Sequence, residues 1–391
     1  MDRKNWEYKK LGAVAAVSAG QGAPQGEECY CADGTPFIKA GNLEALVNGL
    51  PESKVQKVSE EVALSHRLKK YKAGSVLFAK SGMSCLKGWI YTLKQDCYVV
   101  SHLAIVTPLD TLMSSSFLNY YFHIHKPGSI HKDSAYPSVS LEDIKSLRIP
   151  VPSMDDQLRV AEDLNCLNDM LSLKKKQLQE FNNLAQAIFY DMFGDPMLND
   201  KKWAKKRLAD IGKVTTGNTP SRRIDEYYNK EYMEWIKTDN IQKDALYPSK
   251  AKEYLSEVGV KKGRFVKEGS LLVSCIAGSL SSIGNVCVTD RTVAFNQQIN
   301  AITPNQSVLP IFLYYLIRYS GEYIRDNSST GMKHILTKTK FESLLFPVPP
   351  LMLQQQFADK INEIIIQKNL VQQCITETQH LLDYKMDYYF G

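Results

Sequence analysis

Between Val160 and Met192 the apolar residues fall at Val160, Leu164, Leu167, Leu171, Leu178, Phe181, Ala185, Ile188 and Met192. The steps alternate four and three residues and are broken only at Lys174, which is the spacing of a seam in a helical coiled coil. A helix from about Asp155 to Met192 would be roughly 55 Å long at ~1.5 Å per residue. Such a rod must span something, although an ordinary long amphipathic helix carries the same local pattern.

The pattern occurs twice. Shifted by 197, the second half of the chain lies over the first: Trp6, Leu11 and Gly20 fall on Trp203, Leu208 and Gly217. Leu147, Pro150, Pro152 and Gln157 fall on Leu344, Pro347, Pro349 and Gln354, Ala161 falls on Ala358, and Phe193-Gly194 falls on Phe390-Gly391. Within the helical stretch Val160, Leu164, Leu167 and Leu178 become Phe357, Ile361, Ile364 and Ile375. Val371 fills the break at Lys174, whereas Leu171 is answered by Lys368. The same offset at the opening and the close of the unit, with shifts of one or two residues between them, marks a tandem duplication, globular unit then helix, twice.

The globular units read as α+β. Pro36 to Leu43 looks like a strand running into a loop, with Glu234 to Ile241 as its partner in the repeat. Ser75–Ala79 and Ser270–Ser274 follow as strands, then small-residue loops at Lys80-Ser81-Gly82 and Ala277 to Ser282. Tyr98 to Thr107 parallels Val293 to Thr303 as β-rich runs, and short aromatic helices are expected over Phe117–Phe122 and Phe312–Leu316. Each unit closes on a Pro-Val-Pro stretch, a rigid extended lead into the helix behind it. The boundaries expected are 1–152, 153–196, 197–350 and 351–391.

Length and composition agree: 391 residues with 44% hydrophobic content allow two or three domains with real cores. The polar opening MDRKNWEYKK and the absence of a long apolar run point away from an export signal or a membrane span. Eight cysteines without a Cys-x-x-Cys pair fit buried thiols in a reducing cytoplasm rather than a metal site. Charge becomes informative once divided. Residues 1–152 carry a net +4 and 197–350 a net +8, while 153–196 carry −4 and 351–391 carry −2. Basic domains on acidic rods fit polyanion binding by the domains and a different partner for the rods, with plain solvated surface charge as the alternative.

The loops hold the candidate chemistry. Thr219-Pro-Ser221-Arg222-Arg223 combines hydroxyls and guanidiniums beside a glycine turn, a composition suited to phosphates or guanine edges. Lys237, Thr238 and Asn240 sit at a strand end, and Lys39 and Asn42 hold the matching positions in the first unit. The loops at Lys80-Ser81 and around Ser279 permit close backbone approach or simply form tight turns. Asn296 and Gln297 are amides able to read adenine or to close a turn. His131-Lys132 and Lys333-His334 occupy corresponding late loops, where phosphate contact and an ordinary surface histidine are both open. Motifs for catalysis are missing: the chain has no Asn/Asp-Pro-Pro-Tyr/Phe, no Gly-x-Gly-x-x-Gly and no P-loop. Asp143-x-Lys145 imitates part of a nuclease motif, but the repeat places Lys340 and Glu342 there.

Taken together, the Trp-x4-Leu opening, Gly217 to Ser221, Trp235-Ile-Lys-Thr238 and the Pro-x-Pro-x4-Gln before each long helix resemble the specificity subunit of a type I restriction-modification system. The likeness covers essentially the whole chain. It implies two mixed α/β target-recognition domains in tandem, each followed by a long helix, with the two helices pairing as an antiparallel coiled coil. It implies further that each domain reads half of a bipartite site in double-stranded DNA. Two methyltransferase subunits would dock on the helices, with ATP-dependent restriction subunits as possible further partners and no cofactor in this chain. A stand-alone DNA-binding or scaffold protein is the alternative reading, and a DNA-modifying enzyme with an unrecognised active site the third.

Overall fold

The computed structural model describes residues 6–130, 137–329, 331 and 333–391. It divides into two compact units, Met1–Lys175 with Gln373–Gly391, and Lys176–Gln372. Each unit therefore holds one globular domain together with part of each long helix. The helices run from Met154 to Phe193 and from Leu351 to Phe390.

In the first unit Ala15–Ala19, Leu103–Pro108, Val76–Ala79 and Ile90–Thr92 form an antiparallel four-stranded sheet in that order. A three-stranded sheet lies beside it, with Thr35–Ile38 between Lys57–Val58 and Tyr98–Val99; its pairing with Tyr98–Val99 is parallel. The second unit repeats both. Its four-stranded sheet runs Gly212–Thr216, Ile299–Pro304, Leu271–Ser274, Val286–Val288. Its other sheet places Met233–Ile236 between Tyr254–Leu255 and Val293–Phe295, and adds Phe265–Val266 as a fourth strand. The single β-rich runs expected over Tyr98–Thr107 and Val293–Thr303 are thus each two strands that pass from one sheet to the other. In the second unit Asn296 makes the break: its Oδ1 accepts the Gln298 N–H at 3.1 Å, turning the chain before Ile299.

Each domain is closed by a ribbon. Glu7–Lys10 pairs with Arg148–Val151, and Lys205–Arg207 pairs with Leu345–Pro347. The extended proline stretch is thus one strand of a ribbon and delivers the chain to the long helix at a fixed angle. The repeated glutamine explains itself at this junction. Gln157, fully buried, accepts the Ser114 N–H at 2.8 Å and donates to the carbonyls of Leu112 and Pro152, both at 3.0 Å. Gln354 does the same with Leu309 N–H at 2.9 Å, Ser307 O at 3.2 Å and Pro349 O at 2.9 Å. One side chain ties the start of the aromatic helix (Ser115–Ile124 or Pro310–Tyr319) to the start of the long one. It satisfies backbone groups that would otherwise be buried without partners.

The helical seam is buried at Val160, Leu164, Leu167, Leu171 and Ala185, as the spacing requires. Beyond Leu171 it departs from the expected pattern except at Ala185: Phe189 and Phe193 are buried, while Leu178, Phe181, Ile188 and Met192 are only partly so. The reason is local to the second unit. Phe193 packs edge-on to Phe312 at 4.9 Å and Phe357 at 5.3 Å, and Phe189 stacks on Phe312 at 6.0 Å. Aromatic pairs of this kind contribute ~0.5–1.5 kcal/mol each beyond their area, which favours turning the phenylalanines inward. In the first unit Phe390 fills the same role against Phe117 at 5.2 Å. The helical segments within each unit run in opposite directions. In the first unit Lys385 donates to Asp163 at 2.5 Å and Thr378 to Met170 at 3.6 Å; in the second, Lys368 donates to Asn182 at 2.7 Å while Phe357 meets Phe189.

Candidate nucleic-acid interface

In the second unit three separate sequence motifs meet at the ends of the two inner strands of one sheet. Trp235–Ile236 pairs in parallel with Ala294–Phe295, so both strands end on the same side and deliver Lys237 and Asn296 together. Gly217 brings the third segment in. A Cβ there would lie 2.1 Å from the carbonyl oxygen of Asn296 and 2.5 Å from that of Phe295, so only glycine permits this approach. The loop that follows is laid over two aromatic rings. Tyr228 donates its hydroxyl to Pro220 O at 2.6 Å, and Trp235 Nε1 donates to Asn218 O at 3.3 Å.

Arg222 is the centre of the arrangement. Its guanidinium lies 4.6 Å from the Tyr228 ring centroid and 4.9 Å from that of Trp235, and Lys237 Nζ lies 5.1 Å from Trp235. Both cations donate to the Glu253 carboxylate. Burial opposes ionisation of Glu253, but hydrogen bonds from Lys237 and Arg222 outweigh it and hold the carboxyl below the ordinary glutamate range. Two cations on one carboxylate leave an excess of positive charge, to which exposed Arg223 adds its own. Cation–π contact restrains the guanidinium without consuming hydrogen-bond donors, so those that Glu253 does not take from Nη2 are held in one orientation. Thr219 donates to Gln297, which joins the loop to the amide segment.

The remaining positions divide by exposure. Ser221 and Gln297 are exposed and Thr238 is half-buried. Asn240 is buried: its Oδ1 accepts the Lys237 N–H at 3.0 Å and its Nδ2 donates to Ser249 Oγ at 3.1 Å. Asn296 is buried too, with its amide engaged by Gln298. Ser279, Lys333 and His334 form a neighbouring group. Ala277 pairs with His334 in a two-stranded ribbon, and the Gln298 carbonyl accepts the Cys275 and Ile276 N–H groups at its base. Ser279 Oγ bonds Ser281 Oγ at 2.7 Å, and Lys333 is exposed.

The first unit builds the same frame with other side chains. Gly20 faces the Val99 and Val100 carbonyls at 2.0 and 2.4 Å from a would-be Cβ, and Tyr30 donates its hydroxyl to Pro24 O at 3.1 Å. Lys39 lies 4.4 Å from the Tyr30 ring and donates to Gln56 Oε1 at 2.7 Å; Asn42 Oδ1 accepts the Lys39 N–H at 2.8 Å. Gln56 thus stands where the second unit has Glu253, each just before the outer strand of its sheet. No arginine or lysine lies between Gly20 and Tyr30. Lys80 is held by its backbone to His102 O at 3.0 Å, and Ser81 Oγ meets His102 Nδ1 at 2.9 Å. His131 and Lys132 lie outside the described residues. Sequence reasoning missed Glu253, Gln56, Tyr30 and Tyr228. The tyrosines follow the loop glycine by ten and eleven residues, so the offset of 197 sets Tyr227 rather than Tyr228 opposite Tyr30, and nothing local to Glu253 marks it either.

A family model described as the type I restriction modification DNA specificity domain matches residues 3–183 and again 200–378. The chain is 22% identical over 377 residues to the type I restriction enzyme MjaIX specificity subunit of Methanocaldococcus jannaschii, covering 90% of this chain and 85% of that protein. It is 21% identical to the HindI specificity subunit of Haemophilus influenzae, covering 73% and 80% respectively. Among solved structures, a type I restriction-modification S subunit from M. genitalium matches with a TM-score of 0.63 at 12% identity, over 99% of this chain and 96% of that one. A chain from a study of complex assembly and conformational transition in the type I R-M system matches with a TM-score of 0.57 at 16% identity, over 98% and 97%. At these identities the structural likeness is one of fold.

Proposed function

We propose, from the premise that this chain belongs to the type I restriction-modification DNA specificity family, that its two domains each read one half of a bipartite DNA target and direct modification and restriction subunits to it. The observation that carries this is the paired strand-end site: the same glycine approach, tyrosine–proline contact and strand-end lysine in both units, dressed with different polar groups. A conserved frame carrying divergent groups is what two readers of different half-sites require.

Residues 1–152 and 197–350 act as the target-recognition domains, and 153–196 with 351–391 as a spacer that pairs as an antiparallel coiled coil. Lys39, Lys80, Lys237, Arg222, Arg223 and Lys333 supply the salt-dependent attraction to phosphates. Arg222, restrained on Trp235 and Tyr228, and the exposed Arg223 and Gln297 are the groups best placed to reach base edges in the second half-site. Leu173, Ile366, Leu370 and Tyr384, all more than half exposed on the long helices, leave apolar surface for two methyltransferase subunits. Methyl transfer and cleavage belong to those partners, and this chain selects the site.

The test is co-expression with the matching methyltransferase and mapping of methylated adenines. Arg222→Ala with Arg223→Ala is expected to disturb only the second domain's half-site. An unchanged methylation pattern and unchanged affinity would remove these residues from the interface.

A further inference from the structure

The second unit has a cleft of about 550 Å³ between the 242–247 segment, the aromatic helix Pro310–Tyr319 and the long helices. Its charged wall groups are Lys243, Arg318 and Lys368 against one carboxylate, Asp244. Arg318 is firmly placed: its guanidinium donates to Lys243 O at 3.1 Å, Tyr314 Oη at 2.8 Å and Asp244 at 2.6 Å. That bond commits Asp244 to Arg318. A second cleft, also about 550 Å³, shares Lys243 and Arg318 and adds Arg325, with no acidic residue on its walls.

Lys368 is the unexplained member. It takes the seam position answered in the first helix by Leu171, which is buried. Its ammonium donates to a neutral partner, Asn182 Oδ1, at 2.7 Å. Burial pulls its pKa below the ordinary lysine value, and the nearby Arg318 charge pulls the same way. A half-buried cation costs stability unless an anion balances it.

We propose that this cleft is a phosphate-binding site, in which Lys368 and Arg318 face the phosphoryl oxygens and Leu178, Leu246 and Ile365 contact the organic part of the ligand. Three cations against one carboxylate leave an excess of two charges, which a phosphate monoester dianion matches better than a carboxylate does. Guanidinium and ammonium donors on separate walls also suit a tetrahedral group. The site lies on elements other than the strand-end loops, so it stands independently of how those loops read DNA. The two charges can come from one free phosphate monoester or from two neighbouring diester phosphates of a DNA backbone, which carry one charge each.

The test titrates inorganic phosphate into the full-length chain at constant ionic strength, followed calorimetrically, in the wild type and in Lys368→Gln, Lys368→Arg and Lys360→Gln. Lys360 is an exposed lysine on the same helix and controls for loss of charge alone. Saturable binding that weakens about ten-fold or more in Lys368→Gln, recovers in Lys368→Arg and is unchanged in Lys360→Gln supports the site. Circular dichroism confirms that each variant is folded. A parallel titration with duplex DNA assigns the source: a matching loss in Lys368→Gln marks the backbone phosphate, and an unchanged affinity marks a free ester. Absent saturable phosphate binding, or equal binding by wild type and a folded Lys368→Gln, overturns the proposal.

Discussion

The two domains share a frame and differ in what they hang on it. In the second, Arg222 and Lys237 are drawn onto Glu253 over Trp235 and Tyr228. In the first, Lys39 alone sits on Tyr30 and donates to the neutral Gln56. The parts that are the same in both are those that position backbone: the glycine approach to a strand and the buried glutamine at the helix junction. The parts that differ are polar tips on strand ends and loops. Duplication keeps the geometry of the frame and frees the side chains that it carries.

The largest expected effect lies in the shared frame. Gln157→Met and Gln354→Met each orphan backbone groups in a buried junction, at about 1–3 kcal/mol per unsatisfied group. Hydrogen-exchange mass spectrometry should show protection lost over Ser115–Ile124 in the first variant and over Pro310–Tyr319 in the second. Equal loss in both units from either substitution would mean that the two junctions are not separate.

Next comes the chemistry that divides the domains. Arg222→Ala with Arg223→Ala should relax the second half-site by roughly 1–3 kcal/mol for each base-reading arginine and leave the first half-site intact. Competition binding with duplexes mutated in one half at a time measures this. A penalty spread evenly over both halves would assign these arginines to the phosphates alone.

A smaller effect is expected from Glu253→Gln, which gives the second domain the neutral group that the first has in Gln56. Releasing Arg222 and Lys237 should tighten binding to duplex of any sequence and steepen its salt dependence by roughly one phosphate contact. The sign of the pH effect follows from the lowered Glu253 pKa. The carboxylate is ionised at and above ordinary glutamate values, and its grip on both cations is lost only as pH falls through the depressed folded value. The glutamine variant should therefore lack the wild type's change in affinity on the acid side. An acid limb retained in the variant would place its origin elsewhere.

Much of this organisation is legible in the sequence because it is periodic or repeated. The seam from Val160 to Leu167 and the Pro-x-Pro-x4-Gln motif are patterns that a single chain displays twice. Where long-range packing decides, periodicity fails: Phe189 and Phe193 turn inward because Phe312 and Phe357 wait for them, which spacing alone does not reveal. The candidate interface is half legible. Arg222 and Lys237 stand out as cations on loops and strand ends, whereas Glu253 meets them only through the pairing of Glu234 with Tyr254 in neighbouring strands. Asn240 and Asn296 look like readers by composition, and the fold buries both amides in its own turns. At Gly20 to Pro24 a loose sequence match hides a close structural one, since a tyrosine hydroxyl on a proline carbonyl needs few particular neighbours.

The most direct measurement exchanges one reader and leaves the other. Residues 1–152 are replaced by the equivalent segment of another family member, and methylated sites are mapped genome-wide in cells carrying the matching methyltransferase. The expected target has one new half, the second half unchanged, and the same spacing between them. A target changed in both halves, or not at all, would contradict the claim that the two domains read independently.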